Sequence, residues 1–326
     1  MSQPAPKLIT EGENRAWCIV YGIESAAIIL GNLLVIAAFA TTKSLHKKTY
    51  LLLISLAVAD LLIGAVAVPM YIHVIGGAVA KWWELDSHVI HTQTAIEIFC
   101  SYASIFFLVA IALERLYAAL SPLNHGNVKT WAYYIVIASI WALSLLLGIL
   151  SFLREDHVGA ASNGGVFWFI MVLLALSMFT LVIAYGIIAV ILLTSSSRDK
   201  SDDFEKRMAV TLLILTVIFI VTWLPFKVIN YIFHMNPQAK LSCAENDFAC
   251  LYHAVYSTKL LHYFNSIVNP IVYALRVKDF RNGVRRIFCG CCKENLQKNP
   301  PLGQEKGIDN MVSMQSIDTV VPSMFL

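Results

Sequence analysis

Three sets of charged residues in this chain sit among neighbours that offer them no water. The stretch LVAIALERLYAALSPL sets Glu114 and Arg115 side by side at the end of a long apolar run. Glu97, Lys227 and Lys259 lie in three further apolar runs, and Asp60 is the lone acid of LAVADLL. Charges at the end of so apolar a run raise the question of what solvent surrounds them. A buried glutamate with two lysines either pairs internally or receives a charged ligand. Asp60, with Asn32, Ser104, Asn265 and Asn269 as candidate partners, either holds a small hard cation such as sodium or is a protonated acid hydrogen-bonded to asparagines. Catalysis has no comparable signal, since H-E-x-x-H, G-x-S-x-G and the paired aspartates of a membrane protease are all absent. No enzyme activity is expected.

The elements that must carry these residues follow from composition. Of 326 residues 58% are hydrophobic and 14% charged, with a mean hydropathy of +0.68, against about 25% charged in a soluble domain. Seven segments reach the ~20 apolar residues that cross a bilayer core: 17–41, 49–75, 89–120, 130–152, 165–193, 208–234 and 250–275. Each must be helical, because lipid offers the backbone no partner. The expected fold is an all-α bundle of seven transmembrane helices, spanning 17–276, after an extracellular tail over 1–16.

Beyond it, RVKDFRNGVRRIF sets Val277, Phe280, Val284 and Phe288 on one face opposite basic residues, predicting an amphipathic helix over 277–290 that lies on the membrane surface. Residues 291–326 form a polar cytoplasmic tail. The first sixteen residues lack the pattern of a cleaved signal peptide. Basic residues near the helices number fifteen on one side and five on the other. That bias puts the N-terminus outside, the C-terminus in the cytoplasm and the chain in the plasma membrane. The net charge of +3 signals no nucleic-acid partner.

Under this topology Cys243 and Cys250 share the last outer loop, where their spacing permits a small disulfide-closed loop. Cys289, Cys291 and Cys292 follow the surface helix on the reducing side and are candidates for palmitoylation. The inner segment TSSSRDKSDDFEKR, 194–207, reads as a solvated turn. Pro225 in VTWLPF and Pro270 in NPIVY each remove a helical hydrogen bond in mid-span, which suggests a moving part.

These motifs together resemble the rhodopsin-like (class A) G-protein-coupled receptors, over residues 17 to about 290. They are GNLLV with Asn32, LAVAD with Asp60, ERL in place of the family's D-R-Y, Trp141 in the fourth span, WLP after Trp223, and NPIVY followed by the surface helix. The resemblance implies a receptor that converts binding of an extracellular ligand into activation of a heterotrimeric G protein, with arrestin and a receptor kinase as further partners. It needs no cofactor, although a sodium ion at Asp60 is possible. Arg115 is then held by Glu114 and by Glu205, which lies eighteen residues before Trp223 and so about 27 Å along the helix, at the inner surface. Release of the sixth span uncovers the G-protein groove, Tyr185 and Tyr273 restabilise Arg115, and Leu123 after Pro122 inserts into the G protein. Leu116 replaces the family's tyrosine without touching the charge mechanism.

The pattern breaks in two places. Ile90 stands where most of the family has the cysteine that tethers the third span, and the fifth span lacks the family's proline. Both absences resemble the branch with melanocortin, cannabinoid and lysophospholipid receptors. Glu97 lies five turns outward of Arg115, where amine receptors place an aspartate. A protonated amine at Glu97, a Glu97 bridge to Lys227 or Lys259, a ligand bearing both charges and an acidic ligand at the lysines all fit. Ser101, Trp223, Phe226, Asn230, His262 and Tyr263 complete the expected ligand-binding set, with Glu24 facing His262; adenosine receptors have a similar pair with the glutamate one turn further out. An opsin is disfavoured because Tyr263 occupies the position of its retinal-binding lysine and Lys259 lies one turn too far out. A membrane transporter is the rival from another class, but the hydropathy shows no two-fold repeat.

Overall fold

Without water every span must satisfy its backbone internally, and all seven do so as helices in the computed structural model. It describes residues 10–41, 48–80, 87–156, 164–194, 200–235, 237–276 and 278–288. The first span is α1 (Glu11–Thr41). The second is α2 (Thr49–Leu62), which passes through a π-helical turn (Ile63–Ala67) into α3 (Val68–Ala80). The third span is α4 (Ser87–Leu120), followed by the short α5 (Pro122–Asn127). The fourth, fifth, sixth and seventh spans are α6 (Thr130–Asp156), α7 (Gly164–Thr194), α8 (Lys200–Met235) and α9 (Pro237–Arg276), and α10 (Lys278–Phe288) closes the bundle. Among the described residues six helices are long and apolar enough to cross a bilayer. The seventh, α9, is long enough but carries Lys259, His262, Asn265 and Asn269.

The third span is the axis. In its apolar stretch 61% of residues are buried, against 22% for the fourth span, which lies on the rim. Tyr102, Ala103, Ile105, Phe107, Ile111 and Ala112 of α4 are almost fully enclosed. Meanwhile Leu30, Phe179, Val221 and Leu224 point outward, each more than half exposed, as side chains facing lipid should be. The π turn precedes Pro69, which cannot donate to the carbonyl four residues back; Ser25 of α1 donates to the Gly64 carbonyl there, at 2.7 Å. Gly64 also marks the closest approach of the first two spans, since a Cβ on it would meet Ile28 at 2.7 Å.

The helices run further than the sequence predicts in three places. α1 starts at Glu11 rather than 17, because Thr10 and Glu13 form a capping box: the Thr10 amide donates to Glu13 at 2.8 Å and the Glu13 amide to the Thr10 hydroxyl at 3.2 Å. Asn14 then ties that first turn to the Ile75 carbonyl, at 2.8 Å. α8 starts at Lys200, so the second half of the expected 194–207 turn is helix. α9 starts at Pro237, a residue suited to a first helical turn, so the expected outer loop is helix as well. Cys243 and Cys250 both lie on it, and their side chains are outside the described residues. Seven residues of helix set their Cα atoms about 10 Å apart, beyond disulfide reach. A bridge between them would need this turn to unwind.

α10 lies against the base of the bundle. Phe280 is 1% exposed and packs on Phe39 and Tyr273, with ring centroids 6.3 and 6.4 Å away. Arg281, Arg285 and Arg286 are exposed, and Phe288 is 73% exposed at its end. Cys289, Cys291 and Cys292 lie outside the described residues.

Candidate functional site

At one end of the bundle the third, sixth and seventh spans surround Glu97. Its Oε2 accepts hydrogen bonds from Lys259 Nζ at 2.8 Å, Gln93 Nε2 at 2.7 Å and Tyr263 Oη at 3.1 Å. Of the two candidate lysines, the buried glutamate forms its ion pair with Lys259, and none joins it to Lys227 among the described residues. Lys259 also stands 3.9 Å above the Tyr71 ring. Lys227 has no acid partner among the described residues; its ammonium lies 4.9 Å from the Trp223 ring and 5.5 Å from the Phe226 ring. Cation–π contacts of this kind recover part of the cost of an unpaired charge.

A cavity of about 380 Å³ opens beside this network, and Glu97, Phe226, Lys227, Asn230 and Lys259 line it together with Ile98 and Phe233. Asn230 turns its amide back to the Phe226 carbonyl, at 3.0 Å. Ser101, Trp223, His262 and Tyr263 are not part of that wall. They form the layer beneath it: Ser101 Oγ is 3.3 Å from His262 Nε2, and the His262 ring sits 4.3 Å from Trp223 and 5.2 Å from Phe226. Trp223 contacts Phe219 and Tyr102 in turn, just before Pro225. Glu24 does not face His262 as expected. His262 Nε2 points toward Ser101 and lies 3.7 Å from Glu97, while neither Glu24 oxygen finds a hydrogen-bond partner among the described residues.

Halfway down, Asp60 is fully enclosed. Its Oδ1 accepts from Ser104 at 2.9 Å and from Ser266 at 3.0 Å, and its Oδ2 accepts from Asn269 at 2.6 Å. Ser104 and Asn269 are expected partners, whereas Ser266 was not anticipated. Asn265 is buried but makes no bond to Asp60. Asn32 donates to the Ile28 and Ser266 carbonyls, and its buried Oδ1 has no donor among the described residues.

At the far end Glu114 is the centre of a larger assembly than the sequence implies. Its Oε1 accepts from Thr49 at 2.6 Å and Tyr133 at 3.2 Å and lies 2.7 Å from His125 Nε2, so one carboxylate joins the second, third and fourth spans to α5. Its Oε2 lies 3.0 Å from Arg115 Nε, but the N–H is not aimed at it, and the contact is coulombic. Leu123 projects from α5 and is 87% exposed. Tyr185 and Tyr273 are buried near this end, and the Tyr273 hydroxyl has no hydrogen-bond partner among the described residues. Glu205 is on α8, with its side chain outside the described residues.

Thr49, Gln93, His125, Tyr133, Tyr71 and Ser266 are the members that sequence reasoning missed. Gln93 had a readable signal, standing four residues before Glu97 on one helical face. The others meet their partners only through helix packing.

A seven-span bundle with a charged cavity at one end, a buried polar centre, and a capped arginine at the other has the build of a membrane receptor. Residues 31–273 match the family described as 7 transmembrane receptor (rhodopsin family), and the chain belongs to that family. It is 26% identical over 299 residues to adenosine receptor A2b of Gallus gallus, covering 80% of this chain and 84% of the relative. Similarity to sphingosine 1-phosphate receptor 1 of Danio rerio is 26% over 315 residues (89% and 84%), and to sphingosine 1-phosphate receptor 2 of Homo sapiens 28% over 280 residues (80% and 72%). The chain is thus a multi-pass G-protein-coupled receptor near the adenosine and lysophospholipid branch, with an extracellular ligand and a G protein as partners. The transporter and opsin readings find no support in these relatives.

Proposed function

We propose that the ligand of this receptor carries an anionic group that binds Lys227. One observation carries the reading: Glu97 is paired with Lys259, which leaves Lys227 as a pocket cation with no ion-pair partner among the described residues and its ammonium near the Trp223 and Phe226 rings. Three of the cavity's charged groups are thus one acid and two bases, a balance that favours an incoming anion. Two of the relatives are named for a phosphate-bearing ligand, which supports the same chemistry. Drawing the ammonium off Trp223 changes the packing of that ring just before the Pro225 kink, where a helix swings with little repacking. The sixth span then moves away from Arg115, which leaves Glu114 and Glu205 for Tyr185 and Tyr273. Leu123 enters the G protein from its exposed site on α5.

In this reading the Glu97 end and the N-terminus face outward at the plasma membrane and Arg115 faces the cytoplasm, with arrestin and a receptor kinase as later partners and Cys289, Cys291 and Cys292 as acylation sites. Lys227→Gln is expected to raise the concentration of an anionic agonist needed for half-maximal response by about ten- to a hundredfold, the range of one charged hydrogen bond, with surface level retained. A second reading, an amine at Glu97, is favoured by Oε1, which lies 3.7 Å from His262 Nε2 while Oε2 takes the Lys259 ammonium. Responses that survive Lys227→Gln but are lost in Glu97→Gln would select it.

Asp60, Ser104 and Ser266 supply a carboxylate and two hydroxyl oxygens from three spans, a donor set that fits sodium, and Asn32, whose amide donates to the Ser266 carbonyl, carries a buried Oδ1 with no donor among the described residues. Bound there, the ion would supply positive charge against the carboxylate and tie the second, third and seventh spans together. Replacing choline by sodium should raise the thermal midpoint of the purified receptor, and Asp60→Asn should abolish the difference. An equal shift in both proteins would remove the assignment.

A further inference from the structure

The charged cavity has a neighbour on the lipid side. A second cavity, about 510 Å³, lies between the fifth and sixth spans, and it shares Met171 and Lys227 with the first. Along α7 its wall is the stripe Met171, Ala175, Met178 and Val182, one residue per turn, with Leu174 beside it. Ile220 and Leu224 face them from α8. Every lining side chain except Lys227 is apolar. The cleft does not open at the aqueous end of the bundle: Val182 is 55% and Leu224 56% exposed on the outward face, so its mouth is at the hydrocarbon.

A lysine on the wall of such a cleft is costly and needs a reason. Here Lys227 lines both cavities, and its ammonium lies 4.9 Å from the Trp223 ring and 5.5 Å from the Phe226 ring, an arrangement open to a long side chain with an apolar stem and a charged tip. The same side chain therefore borders two spaces of opposite chemistry, one suited to a charge and one to a hydrocarbon chain.

We infer that the ligand is a single-chain amphiphile with an anionic head: the head pairs with Lys227 in the charged cavity, and the alkyl chain leaves the bundle through the cleft between α7 and α8. This rests on the anionic reading of Lys227 given above. It also places the chain against the helix that must swing, so occupancy of the cleft bears directly on the Pro225 kink. Arrival from the bilayer costs the chain no exposure to water.

The test uses the full chain purified into phosphatidylcholine nanodiscs, with dodecyl phosphate, butyl phosphate and the neutral dodecyl maltoside as probes. Concentration in the bilayer for half-maximal thermal stabilisation is the readout. Ala175→Trp and, separately, Leu224→Trp fill the cleft from its lipid-exposed wall. Both should weaken dodecyl phosphate by about tenfold or more while leaving butyl phosphate as it is in the wild type. Lys227→Gln should weaken both phosphates, and dodecyl maltoside should bind none of the proteins specifically. If the tryptophan variants leave dodecyl phosphate unchanged, or weaken the two phosphates equally, the chain does not use the cleft, although the Lys227 effect would still uphold the anionic head. If Lys227→Gln changes neither phosphate, the anionic reading fails and this proposal with it.

Discussion

Replacing Lys259 by methionine is expected to remove most of the receptor from the cell surface. Glu97 is 7% exposed and draws its compensating charge from Lys259 at 2.8 Å. Removing the ammonium leaves a carboxylate with hydrogen bonds from Gln93 and Tyr263 alone. Breaking a buried pair in this way costs about 3–5 kcal/mol, a large part of the total stability of a typical domain. The Glu97→Gln/Lys259→Met double variant should recover much of the surface level, since a neutral amide can keep those hydrogen bonds without a counter-ion. Lys227→Met should cost far less, because among the described residues no ion pair joins that ammonium to an acid. Surface-epitope labelling of the four proteins decides it. A Lys259→Met receptor at wild-type level would mean that the pair does not hold the resting bundle together.

The second large effect is at the other end. Glu114→Ala should raise basal nucleotide exchange on the G protein by about tenfold, equivalent to ~1.4 kcal/mol of bias toward the active state. The reason is structural: one carboxylate holds Thr49, Tyr133 and His125 and neutralises Arg115. Its loss frees the arginine and unfastens α5, which carries Leu123. Substituting Phe for His125 should give a smaller rise in the same direction, because it cuts one of three ties to Oε1. Glu205→Ala should also raise basal exchange if that residue helps to hold Arg115. Normal ligand response with unchanged basal exchange in Glu114→Ala would refute the restraining role.

Much of the architecture was legible because lipid imposes a simple rule. Apolar length marks the spans, and Asp60, Glu97 and Arg115 stand out where polarity is expensive. Pairing was legible only in part. Ser104 and Asn269 could be named as partners of Asp60 because their spans were known, but Ser266 depends on the rotation of α9, which apolar periodicity leaves undetermined in a helix that is polar along one whole face. His125 and Tyr133 were hidden for different reasons: His125 meets Glu114 through the geometry of α5, a six-residue helix with no apolar stripe, and Tyr133 meets it through the packing of the fourth span on the third. Two of the helix starts had local signals, a Thr-x-x-Glu box at Thr10 and a proline at Pro237, but a search for apolar runs passes over both. Glu24 and His262, expected to face each other, share no hydrogen bond among the described residues, and His262 Nε2 lies by Ser101 instead.

The central claim is that an anionic ligand at the Glu97 end is converted into G-protein activation at Arg115. The most direct measurement is GTP-analogue uptake by a heterotrimeric G protein, with purified wild-type, Lys227→Gln and Arg115→Ala receptors in nanodiscs and sphingosine 1-phosphate as the trial anion. The account predicts ligand-stimulated uptake with the wild type, a rightward shift of about tenfold or more with Lys227→Gln, and no stimulation with Arg115→Ala. Stimulated uptake of equal size and potency in all three would contradict it.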